Sequence, residues 1–332
     1  MVVATDDNAS AARGQKPHFV PKSGSRLYTR VFLYAIAGIL IVALALGLGL
    51  GFGLKHDECP PTTSPLPSST PSAVWKPAVG SSWQIILSQK VEIDSNNPIV
   101  RPDVDVFDID LFVHQNSSVI ASLHKLGKKV ICYFSAGSYE PYRPDSSRFL
   151  KSDLGAQMDG WPDERWLNLR STSVREVMVS RISLARDMGC DAIDPDNVDG
   201  YENDNGLDLT REDSIDFVAF LAGKAKEKKL AIGLKNANDI VTDVLDAVQF
   251  SVNEQCAEYS ACESFAPFIE AGKPVFHIEY PSGAPEKIAT ADSKSACSAK
   301  GASRFSTVLK SENLDSWVEY CDGRTVKTDV VS

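Results

Sequence analysis

Acidic and amide side chains gather at a few places in the 332-residue sequence, each at the end of a short apolar run. Asp194-Pro195-Asp196-Asn197-Val198-Asp199-Gly200-Tyr201 closes one run, and Asn253-Glu254-Gln255-Cys256 closes another. Asp108 and Asp110, Tyr133 with Ser135 and Gly137, Lys235-Asn236, and Glu279-Tyr280 end the others. Two carboxylates facing one another across a pocket are what cleavage of a glycosidic bond needs. One attacks or activates water, and the other protonates the leaving oxygen. Asp196 and Glu254 lie on runs separated by a single other run, so they can flank a sugar bond. Asp194 and Asp196 are two residues apart and share a face of one strand. Only one can be best placed for the chemistry; the other is left to orient the sugar or the turn.

Other readings of the same residues compete. Asp194-Pro195-Asp196-Asn197 could begin a calcium loop, but that motif wants Asp or Asn fifth and Gly sixth, where Val198 and Asp199 stand. It could equally be a structural turn. Lys235 could be a Schiff-base nucleophile, although a cation among carboxylates is more economically an ion-pair partner. Trp161 and Trp166 could stack on sugar faces or belong to the core, since indole rings bury much apolar area. No Cys-x-x-Cys pair occurs and the five histidines do not cluster, so neither a metal site nor a cofactor is expected.

These residues need a scaffold that brings strand ends together. Eight strand-like runs are visible: 83–87, 104–112, 129–135, 192–196, 230–235, 250–254, 275–280 and 304–309. Helical patterns separate most of them. In 174–188 the apolar residues recur at i, i+3 and i+4. The helix expected over 210–228 starts with Thr210 as N-cap and Asp213 in the capping-box position. A shorter one, 265–271, ends at Gly272 and Pro274. Alternating strands and helices in this number predict an α/β fold, a TIM-like (β/α)8 barrel over residues 75–332 whose site lies at the C-terminal strand ends. A doubly wound open sheet is the alternative, and the first unit is irregular, because 88–102 has no helical period.

The N-terminal part is of another kind. Val31 to Leu54 is a run without a charge. As a helix it would be about 36 Å long, enough to span a hydrocarbon core of about 30 Å. It is too long and too far from the start for a cleaved signal peptide. Basic residues precede it (Arg13, Lys16, Lys22, Arg26, Arg30), so 1–30 is expected to be a cytoplasmic tail and 31–54 a transmembrane signal-anchor. The predicted topology is single-pass type II, most simply in the plasma membrane, with the C-terminal domain extracellular. Residues 55–74 hold a Pro/Ser/Thr-rich linker. The formal net charge is −10 and the acidic excess lies in the C-terminal part, since the first 55 residues are net basic; this disfavours nucleic acid as a partner and favours cations. Asn116-Ser117-Ser118 is a glycosylation acceptor in the ectodomain. Seven cysteines fit an oxidising compartment. Cys256 with Cys262, and Cys297 with Cys321, are expected as disulfides, whereas Cys132 and Cys190 lie in apolar patterns and read as buried thiols.

From Trp75 to Tyr280 the sequence resembles the endo-α-1,4-polygalactosaminidases of glycoside hydrolase family 114. The segments that carry the resemblance are Phe107-Asp108-Ile109-Asp110, Val130 to Gly137, Gly160-Trp161-Pro162 with Glu164-Arg165-Trp166, Asp194 to Tyr201, Gly233 to Asn236, Asn253 to Cys256 and Glu279-Tyr280. The resemblance implies endo-acting cleavage of a cationic galactosamine polysaccharide, with Asp196 and Glu254 as the catalytic pair. By analogy with other α-acting barrels, Asp196 is the nucleophile, Glu254 the acid/base, and configuration is retained. Asp108, Asp110, Tyr133, Trp161, Asp194, Asn197, Asp199, Tyr201, Lys235, Asn236, Glu279 and Tyr280 are the expected substrate-binding residues. The resemblance often has Glu at the place of Asp194. A non-catalytic carbohydrate-binding or wall-attachment barrel is the competing function, and it would gain if either carboxylate were missing.

Overall fold

The computed structural model describes residues 74–331 apart from Ser95. The expected cytoplasmic tail, membrane anchor and most of the linker lie outside the described residues. Among those described, no helix is long and apolar enough to cross a membrane.

In chain order the elements are β1 (Trp83–Ile86), β2 (Val106–Asp110), α1 (Val119–Lys125), β3 (Lys129–Ser135), β4 (Ser138–Tyr139), β5 (Leu154–Met158) and β6 (Trp161–Leu167). Then come α2 (Thr172–Met188), β7 (Ala192–Asp196), α3 (Arg211–Glu227), β8 (Ala231–Lys235), α4 (Val241–Val244), β9 (Phe250–Glu254) and α5 (Ala266–Glu270). The last are β10 (Val275–Glu279), α6 (Thr290–Cys297), β11 (Ser306–Leu309), β12 (Trp317–Tyr320) and β13 (Thr325–Lys327).

One sheet runs β1-β2-β3-β7-β8-β9-β10-β11-β12-β13. Its first eight strands are parallel, and β12 and β13 add antiparallel at the end. The sheet curls until its two ends meet. The Trp83 indole donates to the Ser306 carbonyl at 2.7 Å, Leu87 N to Leu314 O at 2.9 Å, and the Tyr320 hydroxyl to Trp83 O at 3.1 Å. Strands covered on both faces read as continuous apolar runs, and every residue of β1, β2, β7, β8 and β10 is buried.

Helices α2 and α3 pack outside this sheet. The expected apolar stripe of α2 is buried (Val174, Val177, Met178, Ile182, Ala185), and the helix stops at Gly189, whose φ of 93° serves the left-handed C-cap that glycine adopts without strain. Helix α3 begins with the expected capping box. Asp213 N donates to Thr210 Oγ1 at 3.2 Å and Thr210 N to Asp213 Oδ2 at 2.8 Å.

Three features depart from the sequence reading. A separate antiparallel sheet, β4-β6-β5, stands where a loop was expected after β3. Short helices α1 and α6 and the terminal strands β12 and β13 were not anticipated. Cys132 and Cys190 are not free thiols: they form a disulfide, with Cα atoms 6.0 Å apart. On β3, Tyr133 reaches the strand-end site, so alternation sends Cys132 to the opposite, helix-covered face. Cys190 arrives there from the end of α2, held by its N–H on Ala185 O at 3.0 Å. The two expected pairs, Cys256–Cys262 and Cys297–Cys321, both form. Asn116 is exposed in the turn before α1.

Candidate active site

Three neighbouring strands, β7, β8 and β9, end in Asp196, Lys235 and Glu254. Each is followed by a non-glycine residue in the left-handed region: Asn197 (φ 61°), Asn236 (φ 49°) and Gln255 (φ 61°). Such conformations are costly and concentrate where surrounding structure enforces them for a purpose. Here they turn the chain sharply away, so that three charged side chains end the strands side by side.

Lys235 is the hub. Its Nζ lies 3.2 Å from Asp196 Oδ2, 3.5 Å from Glu254 Oε2 and 3.8 Å from Asp194 Oδ2, and it stands 5.1 Å from the centre of the Tyr133 ring. Burial works to strip the ammonium of its proton, but Asp196, Glu254, Asp194 and Asp108 outweigh it and hold its pKa well above the usual lysine value. A permanent cation in this setting is an ion-pair partner, which removes the Schiff-base reading.

Each carboxylate is oriented from several sides. The Tyr133 hydroxyl donates to Asp196 Oδ2 at 3.0 Å, and Asn197 N to Asp196 Oδ1 at 2.7 Å. The Tyr280 hydroxyl donates to Glu254 Oε1 at 2.5 Å, and Asn236 Nδ2 to Oε2 at 3.0 Å; Glu254 N returns a bond to Asn236 Oδ1 at 2.8 Å. Burial, and next Asp196 for Tyr133 and Glu254 for Tyr280, push both phenols well above their ordinary pKa. Both therefore stay protonated donors.

Expected substrate contacts are divided by depth. Tyr133, Asn236 and Tyr280 are half-buried and touch the pair. Asp199 and Tyr201 are half-buried in the turn after β7, and Trp161 is half-buried at the start of β6. The structure buries the others. Asp108 and Asp194 are 0% exposed, so no sugar reaches them. Burial first, then Asp194, raises the Asp108 pKa well above the usual range, and burial pushes Asp194 up to about 7. Asp110 is buried and occupied: it accepts from Phe112 N and Val113 N, both at 2.9 Å, and pairs with Arg143 at 2.7 Å. Glu279 is buried, accepting from Ala257 N at 2.7 Å and lying 2.7 Å from His277 Nε2. Asn197 is buried, its amide on Ser135 Oγ at 2.9 Å. Trp166 is core, with its ring against Gly200.

One acidic group was quoted in a motif but given no role. Glu164, on β6, accepts from Ser138 Oγ at 2.9 Å, and the Tyr142 hydroxyl lies between Glu140 (2.8 Å) and Glu164 (3.2 Å). Burial, then Glu140, pushes Glu164 up to about 7, and Asp196 lies close enough to add to the rise. Its signal in the sequence was Gly160-Trp161-Pro162 to Trp166 itself. Among the described residues the one cluster with metal-ligand spacing is Cys256, Cys262 and His277. Its two sulfurs are joined to each other, so they are not thiolate ligands.

A curled parallel α/β sheet with two oriented carboxylates at its C-terminal strand ends defines a glycoside hydrolase. The family model of glycoside-hydrolase family GH114 matches residues 64–326, and the chain belongs to that family. The match runs well past Tyr280, where the motif resemblance faded. Among solved structures, the crystal structure of Aspergillus fumigatus Ega3 in complex with galactosamine is 51% identical, with a TM-score of 0.70 over 76% of this chain and 100% of that one. The glycoside hydrolase domain of PelA from Pseudomonas aeruginosa shares the fold at 13% identity, with a TM-score of 0.52 over 71% of this chain and 96% of that one. No curated protein sequence matches the chain.

Proposed function

We propose that the enzyme is an endo-acting hydrolase of α-1,4-linked galactosamine polysaccharide and that Asp196 and Glu254 carry the reaction. The observation that carries this reading is the Lys235 ammonium lying between the two carboxylates, at 3.2 and 3.5 Å. The sum of those distances is an upper bound on the separation of the two bridged oxygens. It admits the spacing of about 5–5.5 Å used by retaining glycosidases. Asp196, paired with the Lys235 ammonium and accepting from the Tyr133 hydroxyl, attacks the anomeric carbon. Glu254 protonates the departing oxygen, and then activates the water that releases the sugar from Asp196.

Galactosamine as the sugar is supported by the 51% identical Ega3, crystallised with galactosamine. The net charge of −10 suits a cationic, deacetylated polymer. We read the curled sheet as a (β/α)8 barrel carried on the 55–74 linker behind a signal-anchor at 31–54, facing the outside of the plasma membrane and glycosylated at Asn116. Product analysis on deacetylated and N-acetylated galactosamine oligomers, with NMR of the first-formed anomer, tests the substrate and the retention together. Failure to cut either oligomer, or a first product of inverted configuration, would overturn the corresponding half of the reading. A binding-only barrel would show affinity without products.

A further inference from the structure

Glu164 on β6 is joined to Asp196 by a line of hydrogen bonds. Its Oε2 accepts from Ser138 Oγ at 2.9 Å, and Ser138 Oγ lies 2.7 Å from Ser135 Oγ. Ser135 Oγ accepts from Asn197 Nδ2 at 2.9 Å, and Asn197 N donates to Asp196 Oδ1 at 2.7 Å. None of the five residues is more than 8% exposed, so water does not compete for these bonds. We propose that Glu164 is a positioning residue, acting along this line to fix the turn that presents Asp196, and not on the sugar.

The direction of every bond in the line is fixed. A hydroxyl has one hydrogen to give and two lone pairs to receive with. Both lone pairs of Ser135 are taken, by Asn197 Nδ2 and by Ser138 N at 3.0 Å. Ser138 therefore cannot donate to Ser135, and its hydrogen goes to Glu164. The Ser135 hydrogen then fills the 2.7 Å contact between the two hydroxyls, in preference to the Ser138 carbonyl at 3.4 Å. Take Glu164 away, and the Ser138 hydroxyl turns back on Ser135 and competes with the Asn197 amide. Asn197 sits in the left-handed region at φ 61°, a conformation that persists only while its surroundings enforce it. The same turn between β3 and β4 grips the other side of the residue: Ala136 N and Gly137 N donate to the Asp196 carbonyl at 2.8 and 3.0 Å. The main chain of Asp196 is thus held by the turn itself, and its carboxylate through Asn197 by the line that ends at Glu164.

The line is read without substrate, from the amide NMR spectrum of the full chain isotope-labelled on asparagine. Glu164→Ala and Ser138→Ala should each move the Asn197 backbone resonance. Glu164→Gln, whose amide oxygen accepts from Ser138 as the carboxylate does, should leave it near its wild-type place. A resonance that stays put in both alanine variants overturns the line, and so does one that Glu164→Gln moves as far as Glu164→Ala. The effect on catalysis rests on the proposed hydrolase reading. On a deacetylated galactosamine oligomer, both alanine variants should lose about 10–10²-fold in kcat with KM unchanged. The double variant should lose no more than either alone, because one line is cut twice, and Glu164→Gln should restore most of the rate. A raised KM in Glu164→Gln with kcat kept would mean that the carboxylate binds the ammonium of the sugar. Full activity in Ser138→Ala would mean that Glu164 acts on Asp196 by charge alone. Either result removes the positioning role. A wild type that cuts no such oligomer fails the hydrolase reading instead, and the NMR spectra still decide the line. Should Glu164→Ala not fold, Ser138→Ala breaks the same line at its middle.

Discussion

At the reaction centre one ammonium is set against several carboxylates, and its loss cannot be absorbed. Lys235 is 1% exposed, so Lys235→Met leaves the buried Asp196 and the half-buried Glu254 without their shared counter-charge. Removing one partner of a buried ion pair costs about 3–5 kcal/mol. Urea titration should show a loss of that size together with loss of turnover, and a variant as stable as the wild type would contradict the bridge. Asp196→Asn and Glu254→Gln differ from it in kind. They keep shape and hydrogen-bonding capacity while deleting the attacking charge or the transferable proton. Each should lower kcat by about 10²–10⁴-fold, with the melting temperature largely kept; a loss below tenfold at either site would remove it from the mechanism. The identity of these residues was legible in the sequence because they end runs of clear strand period. Their depth was not. Alternation tells which face Asp108 and Asp194 are on, but both candidate and floor positions share that face, and the 0% exposure comes from the closing of the sheet.

Among the elements, strands of the main sheet were the most legible. The expected runs 129–135, 192–196 and 250–254 coincide with β3, β7 and β9, because each is buried along most of its length and stops at a polar turn. The small β4-β6-β5 sheet was hidden for the opposite reason. Trp161–Leu167 carries the exposed Pro162, Asp163 and Arg165 around a buried Glu164, without an apolar alternation, so its pairing is fixed by the partner strand and not by its own pattern. That sheet nonetheless delivers Glu164 within electrostatic reach of Asp196. It also brings chain segments into close approach: a Cβ on Gly137, between β3 and β4, would lie 1.7 Å from the Asn197 carbonyl. Gly137→Ala must therefore displace the turn after Asp196, and activity should fall along with stability in a thermal melt and initial-rate assay. The Cys132–Cys190 link was missed because buried apolar strands hide cysteines as readily as valines. It ties β3 to the start of β7 over a separation of 58 residues, against 6 for Cys256–Cys262. On chain-entropy grounds these contribute about 4 and about 2 kcal/mol. Cys132→Ala/Cys190→Ala should therefore lower the denaturation midpoint more than Cys256→Ala/Cys262→Ala, and the reverse order would assign the longer bridge no stabilising role.

The whole molecule carries an unusual set of buried acids, and their sum decides how its stability varies with pH. Asp194, Glu164 and Glu202 are each pushed up to about 7, all chiefly by burial, and Asp108 is raised well above its ordinary value by burial and then by Asp194. In the unfolded chain these groups return to their ordinary values near 4. Between about pH 4 and 7 the folded state thus binds more protons than the unfolded one, and stability falls as pH rises. Lys310 acts in a different window. Burial pulls it down to about 7, so above that pH the unfolded chain binds the extra proton and stability recovers toward the ordinary lysine range. The protein should therefore melt at a higher temperature at pH 5 than at pH 7.5, each kcal/mol being worth about 2–4 °C in a domain of this size. Scanning calorimetry of the fragment 74–332 at the two pH values reads the difference directly. Asp194→Asn, which cannot titrate, should reduce the slope between them. A melting temperature that is flat, or higher at pH 7.5, would mean that the buried acids keep their charge in the folded state.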